Sequence, residues 1–170
     1  DRNLSRGLGD VYKRQIEETL KKSIEQGGKI IFGGKKIERD GNYFEPSLIY
    51  CPNGQIETLK VEMFGPVISI VEFDTEEEAV ELSNDSKYGL GSGLFTKDLA
   101  RAHRVSQEIK AGICWVNTYR VISPIAAFGG FNQSGYAREG GKQSILDYTR
   151  TKTTWINISD DPMKNPFIMR

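Results

Sequence analysis

The sequence has little of what several specialised chemistries require. It carries 2 cysteines and 1 histidine in 170 residues. Cys51 and Cys114 cannot build the disulfide framework of a small secreted domain, and neither lies in a Cys-x-x-Cys or Cys/His cluster, so no metal site is indicated. A reducing cytoplasm is the expected compartment. An excess of either charge is also missing, with 23 acidic against 23 basic residues. That balance argues against a broad basic surface for nucleic acid or an anionic membrane, and leaves a small molecule or another soluble partner. No apolar run approaches the ~20 residues that a membrane helix needs. The length suits one domain with a sizeable core.

What is present alternates helix and strand. Ile16, Leu20 and Ile24 repeat at helical spacing until Gly27-Gly28, and Lys29 to Phe32 then reads as a strand turning at Gly33-Gly34. Leu48-Ile49-Tyr50 reads as another strand, followed by Cys51 and then the Pro52-Asn53-Gly54 turn. The β-branched run Val67 to Phe73 suits a central strand. Thr75-Glu76-Glu77-Glu78 supplies a capping box for a helix through about Leu82. Strand Gly91 to Phe95, helix Lys97 to Ile109 and strand Ile113 to Val116 complete a β-α-β-α-β order, which implies parallel strands and right-handed crossovers. The expected class is therefore α/β. Thr153 to Ile158 alternates well enough for a last strand, and the tail from Ser159, twice interrupted by proline, reads as irregular.

The segment Glu62-Met63-Phe64-Gly65-Pro66-Val67 sets a carboxylate and an aromatic ring one residue apart, just before a Gly-Pro bend into an apolar strand. In extended chain, Glu62 and Phe64 project to the same side. An ionised carboxylate offers several acceptor positions to hydroxyls, so the pair can hold a ribose and cover a flat ring. Gly65 is expected to supply an unusual backbone angle and Pro66 to fix the next. On their own these residues also fit a surface Glu beside a core Phe.

Further along stand Tyr88-Gly89-Leu90 with Phe95-Thr96, Gly112 to Asn117 (Gly-Ile-Cys-Trp-Val-Asn), Phe128 to Glu139 (Phe-Gly-Gly-Phe-Asn-Gln-Ser-Gly-Tyr-Ala-Arg-Glu) and Tyr148 to Lys152. With Glu62 to Pro66 they fall in the order of the signatures E-x-F-G-P, Y-G-L before F-T, G-x-x-W-V-N, F-G-G-x-x-x-S-G-x-G-R-E and Y-T-x-x-K. Together they resemble the carboxyl-terminal part of the aldehyde dehydrogenase superfamily, over roughly residues 16 to 158. Ala137 replaces a glycine common in that pattern and Asn132 stands where lysine is frequent; both bear on local turn geometry.

The resemblance implies a truncated, parallel β-α-β-α-β core of the catalytic domain over 16–147, an oligomerisation strand over 148–158 and an irregular tail over 159–170. Residues 1–15 begin with Asp, lack apolar periodicity and resemble translated adapter read-through at the edge of assembled environmental sequence. A flexible native tail is the other reading of them. The implied reaction oxidises an aldehyde to a carboxylic acid with NAD or NADP, through a cysteine thiohemiacetal and a thioester. A CoA-acylating semialdehyde dehydrogenase of the same superfamily, or a non-catalytic α/β interaction module, are the alternatives.

Site residues follow from the same resemblance. Glu62 would accept hydrogen bonds from the nicotinamide-side ribose, and Phe64 would pack beside ribose and nicotinamide. The segment Tyr119 to Phe128 would line the aldehyde tunnel, with Ile122 and Phe128 as apolar walls; a loop packed between subunits is the plainer reading. No catalytic residue is expected in this chain. Cys114 lies within a strand and Cys51 before a turn, so both read as inert. The nucleophilic cysteine, the general base and the Rossmann-type domain would lie upstream of residue 16, which leaves the isolated chain inactive. A dimeric or tetrameric parent is implied.

Other motifs are set aside. Gly89-Leu90-Gly91-Ser92-Gly93 has Leu94 at the third glycine position of a dinucleotide fingerprint and leads into a strand, so its glycines read as structural. Gly129-Gly130 with Ser134-Gly135 lacks the Gly-Lys-Ser/Thr ending of a phosphate loop. His103 reads as a solvated helix residue, and Arg138-Glu139 as an ion-paired structural corner.

Overall fold

The computed structural model describes residues 2–162, 165, 167 and 168. The chain opens with α1, Arg2–Glu25, followed by β1, Lys29–Phe32, and β2, Ser47–Cys51. The short α2, Glu57–Lys60, leads to β3, Val67–Val71, and α3, Glu76–Asn84. Then come β4, Gly91–Leu94, α4, Leu99–Glu108, β5, Ile113–Val116, a 3-10 turn at Asn132–Ser134 and α5, Ser144–Asp147.

The stripe of α1 that meets the core is Ile16, Thr19, Leu20 and Ser23, all buried, whereas Ile24 is half exposed. Residues four apart drift by about 40° around a helix, so a run of fours leaves the buried face after two steps. Polar Thr19 and Ser23 take the place that the apolar pattern assigned to Ile24. Helix continues back to Arg2, beyond the periodic segment, because each added residue needs only one hydrogen bond once a packed turn exists. At its other end the Gly28 amide reaches the Ser23 carbonyl at 2.8 Å and the Gly27 amide reaches Ile24 at 3.0 Å. With Gly27 at φ +100°, this is a Schellman stop.

Ser23 joins α1 to α2. Its hydroxyl, fully buried, donates to the Thr19 carbonyl at 2.8 Å and accepts the Thr58 amide at 3.0 Å. The Gln26 side chain accepts the Glu57 amide at 2.7 Å. Two otherwise orphaned amides of α2 are thus capped by the last turn of α1 and the residue after it, since the N-cap residue Ile56 has no side-chain acceptor. Around this junction pack Leu20, Ile49, Cys51, Ile56 and Met63.

The expected β-α-β-α-β order is present from β3 to β5, but its strands fall into two sheets. β1 is antiparallel to β2 and β2 parallel to β3, in the order β1-β2-β3, while β4 pairs in parallel with β5. A crossover fixes direction, not adjacency. Thr75 caps α3 by accepting the Glu78 amide at 3.2 Å; the Glu78 carboxylate returns to the Asp74 amide, one residue ahead of the expected partner, at 2.8 Å. Asp98 caps α4 in the same way, through the Arg101 amide at 3.1 Å.

Helices α3 and α4 are clamped at both ends. Glu76 accepts Arg101 Nε at 2.9 Å and Arg104 Nε and Nη2 at 2.5 and 2.9 Å. Asn84 accepts the Lys110 amide at 2.7 Å and donates to the Glu108 carbonyl at 2.9 Å. Residues 148–158 carry no strand, and Trp155, Ile156 and Ile158 are exposed. Among the described residues the segment expected as a strand, Thr153 to Ile158, has no ladder partner, and an unpaired segment gains no hydrogen bonds from extended geometry.

Two outcomes test these junctions. Ser23→Ala leaves the buried Thr58 amide without its acceptor and is expected to lower unfolding free energy by about 1–3 kcal/mol in urea titrations followed by circular dichroism. No loss would mean that another group serves that amide. The hydrogen bond from Arg104 outweighs desolvation and, with Arg101, holds the Glu76 carboxyl below its ordinary 4.5. A folded value below the unfolded one stabilises at higher pH, and the contribution disappears as pH falls through the depressed value. The urea midpoints of wild type and Glu76→Gln should therefore differ at neutral pH and converge on acidification below 4.5; a constant gap would refute the clamp.

Candidate functional site

After α2 the backbone at Val61 is extended, and the side chains then alternate: Glu62 exposed, Met63 buried in the core, Phe64 80% exposed. The two expected ligand-facing residues thus share the outward side of a buried pivot. The means differ from the expectation. Phe64, not Gly65, takes the left-handed conformation, at φ +45°. A bulky side chain there is strained. Gly65 instead leaves room for Ile16, since an added Cβ would lie 2.3 Å from its Cδ1 and push the end of that side chain aside. Helix α1 therefore presses directly on the bend that carries Phe64. Among the described residues the Glu62 carboxylate has no ion pair or side-chain hydrogen bond, so its acceptor positions are free. A cavity of about 330 Å³ beside Phe64 is lined by α1 and the residues leading into β2, including Tyr12, Tyr43 and Phe44.

The second half of the site is built on the β4–β5 pair. The Gly89 carbonyl accepts two amides, from Gly112 at 3.0 Å and Phe131 at 2.9 Å, and the Gly89 amide donates to Ser134 Oγ at 3.0 Å. At Gly112 an added Cβ would lie 1.6 Å from the Gly129 carbonyl oxygen. Gly129 and Gly130 are buried against this junction. The glycine-rich stretch is thereby folded onto the start of both strands, a packing role rather than a phosphate cradle.

Arg138 locks the bend. Its Nη1 donates to the carbonyls of Gly130, Ala137 and Tyr136 at 2.9, 3.0 and 3.2 Å, and its guanidinium lies 5.6 Å from the Phe131 ring centroid. The expected ion pair with Glu139 is not formed: Glu139 instead exchanges two backbone bonds with Phe128, each 2.7 Å. Neighbours in sequence seldom face one another, and the carbonyl cluster offers the fork a better fit. The arginine is visible in the sequence, but its partners are backbone atoms, which no residue type advertises.

Between β5 and the bend runs the expected tunnel segment. Trp115 Nε1 donates to the Val121 carbonyl at 2.8 Å and its ring meets Tyr119 edge-on at 5.6 Å. Asn117, at φ +54°, accepts the Thr96 amide and donates to the Thr96 carbonyl, both at 2.8 Å. These contacts fix where the loop leaves the strand. Ile122 is 61% exposed and Phe128 partly buried. No hydrogen bond or ion pair among the described residues joins Glu62 or Phe64 to Ile122 or Phe128. Cys51 is buried, 3.7 Å from Thr58 Oγ1, and Cys114 is partly buried on β5. His103 is exposed on α4. Among the described residues no cluster of three His, Cys, Asp or Glu could hold a metal, and no helix is long and apolar enough to cross a membrane.

The model of the aldehyde dehydrogenase family matches residues 11–154. The chain belongs to that family. The match starts ahead of residue 16, where the motifs placed the resemblance, and so includes part of α1. A dehydrogenase of Acinetobacter baylyi, acting by its name on (Z)-2-((N-methylformamido)methylene)-5-hydroxybutyrolactone, is 45% identical over 159 residues, covering 93% of this chain and 33% of that protein. The solved structure of PnpE from Pseudomonas sp. WBC-3 superposes with a TM-score of 0.83 at 40% identity, covering 92% of this chain and 33% of that one. A variant of the P. syringae indole-3-acetaldehyde dehydrogenase AldA, solved with NAD+ and IAA, gives 0.81 at 35%, covering 86% and 30%. The chain thus spans about one third of the length of the relatives it matches.

Two substitutions test the geometry of the site. At a left-handed position glycine escapes the penalty that alanine keeps, so Phe64→Gly should be more stable than Phe64→Ala by about 0.5–1 kcal/mol, the reverse of the usual order. Alanine being the more stable would remove the strain argument. Gly112→Ala should destabilise by about 1–3 kcal/mol or more and speed proteolysis between residues 128 and 139, because the bend has to lift off the strands. Unchanged cleavage there would refute the packing role.

Proposed function

We propose that this chain is the part of an NAD(P)-dependent aldehyde dehydrogenase that closes over the coenzyme and one wall of the aldehyde tunnel. The observation that carries the reading is the pair Glu62 and Phe64: a partner-free carboxylate and a ring held outward in a strained conformation, on either side of the buried Met63. A strained, exposed aromatic contributes nothing to this chain's own core, and such strain concentrates at ligand contacts. Glu62 would accept the hydroxyls of the nicotinamide-side ribose, and Phe64 would lie beside ribose and nicotinamide. When bound, the nicotinamide would supply the hydride acceptor.

Ile122 and Phe128 would form apolar walls toward the aldehyde, with Arg138 fixing Phe128 through the paired backbone of Glu139. The parent would convert an aldehyde to a carboxylic acid through a cysteine thiohemiacetal and thioester, the nucleophile and base coming from sequence outside this chain. It would work in the cytoplasm as a homo-oligomer, with 148–158 as the strand that crosses between subunits.

The isolated chain, assayed with several aldehydes and with NAD+ or NADP+, should give no cofactor-dependent turnover. In a full-length dehydrogenase carrying this sequence, Glu62→Gln should raise the KM for the cofactor by about tenfold or more, the loss of one charge-assisted hydrogen bond. Turnover by the isolated chain, or an unchanged cofactor KM in the variant, would overturn the reading.

A further inference from the structure

We infer that Arg120 selects aldehydes carrying a carboxylate at the end remote from the reacting carbon, which makes aldehyde acids the preferred substrate class. From Ala111 to Ala137 the chain holds one charged residue, Arg120, and it falls inside the segment Tyr119 to Phe128. The exposed side chains beside it in sequence, Tyr119, Val121, Ile122 and Ile125, are aromatic or aliphatic. Ligand sites take their orientation from a few polar groups set in apolar lining. A wall of this kind with one cation in it suits a ligand that has a hydrocarbon stretch and one anionic end.

Arg39 lies over the Tyr43 ring, Arg101 and Arg104 hold Glu76, and Arg138 gathers three carbonyls. Among the described residues the Arg120 guanidinium makes no ion pair, hydrogen bond or ring contact. Its backbone is left-handed, at φ +59°. Asparagine enters that region readily, and Asn117 gains two bonds to Thr96 there; arginine does not, and Arg120 makes no side-chain bond that offsets the strain. The position is nonetheless fixed. The ring of Tyr119 before it meets Trp115, the Val121 carbonyl after it accepts Trp115 Nε1, and further along the Gly141 amide donates to the Pro124 carbonyl at 3.0 Å. A cation presented by an anchored loop loses little freedom on binding. Its planar fork takes both oxygens of one carboxylate, whereas a phosphate dianion calls for a second cation, which this stretch does not hold. The inference deepens the proposed function and rests on Tyr119 to Phe128 lining the aldehyde tunnel, but not on the roles of Glu62 and Phe64.

The test compares aldehydes in a full-length dehydrogenase carrying this sequence: the acids 4-oxobutanoate and 6-oxohexanoate, the neutral butanal and hexanal, the cationic 4-trimethylammoniobutanal, and glyceraldehyde 3-phosphate. One of the acids should have the highest kcat/KM. Arg120→Gln should lower the ratio of its kcat/KM to that of the neutral aldehyde of equal length by about tenfold or more, the loss of one charge-assisted pair. Arg120→Glu should move the preference to the cationic aldehyde. An arginine that only holds the loop, or pairs with an acidic group elsewhere in the parent, would change acid and neutral aldehyde alike, so a constant ratio overturns the inference, as does a preference for the phosphate. Ile122→Ala separates the two levels. A changed kcat/KM in that variant beside a constant ratio in Arg120→Gln defeats the carboxylate alone, whereas values unchanged for every aldehyde in Ile122→Ala defeat the tunnel on which it rests. The isolated chain gives a measurement that needs no turnover: Arg120→Gly removes the strain and no bond, so the urea midpoint should hold or rise. A lowered midpoint would show that Arg120 serves the fold and would overturn the inference.

Discussion

The contact on which the site depends is one of space: the backbone at Gly112 approaches the Gly129 carbonyl so closely that no side chain fits between them. This contact lets one carbonyl, at Gly89, bind the amides of both Gly112 and Phe131, so that strand and bend share a single acceptor. Once the bend is seated, the other bonds follow in order. Gln133 reaches the Lys87 carbonyl at 3.0 Å, Arg138 gathers the carbonyls that the tight turn leaves unsatisfied, and Phe128 pairs with Glu139. Hydrogen bonds of this kind contribute about 0.5–1.5 kcal/mol each, so their effect lies in acting together on one geometry.

Much of this is legible in the sequence because local chemistry is written locally. Thr75 caps α3 with its hydroxyl, Gly27 ends α1, and the β-branched run from Val67 forms a strand. The glycines of the Gly89 segment read as structural, and a Cβ at Gly89 would strike the Lys110 carbonyl, as one at Gly129 or Gly130 would strike the carbonyls of Ala137 or Ser134. What is not legible depends on partners distant in sequence. The partition of β3 and β4 into separate sheets, the three carbonyls around Arg138 and the capping of α2 by Ser23 and Gln26 are made by groups whose residue type gives no hint of them. The exposure of Ile24 has another cause: a spacing of four only approximates the helical period, and the mismatch accumulates. Glycine tolerates the left-handed angle best, which points to Gly65, but tolerance does not decide which residue is forced.

The left-handed angle at Phe64 shows how the fold holds a group against its own preference. Placing a bulky residue in that region costs about 1–2 kcal/mol. Burying the preceding Met63 side chain contributes about 1.5–3 kcal/mol, and Ile16 closes on Gly65 from the other side. Burial of Met63 on one flank matches or exceeds that strain, so the angle persists and the ring stays outward. The alternation that sets Glu62 and Phe64 on one side therefore follows from fixing the chain at Met63, whose side chain is buried between them while theirs stay outward.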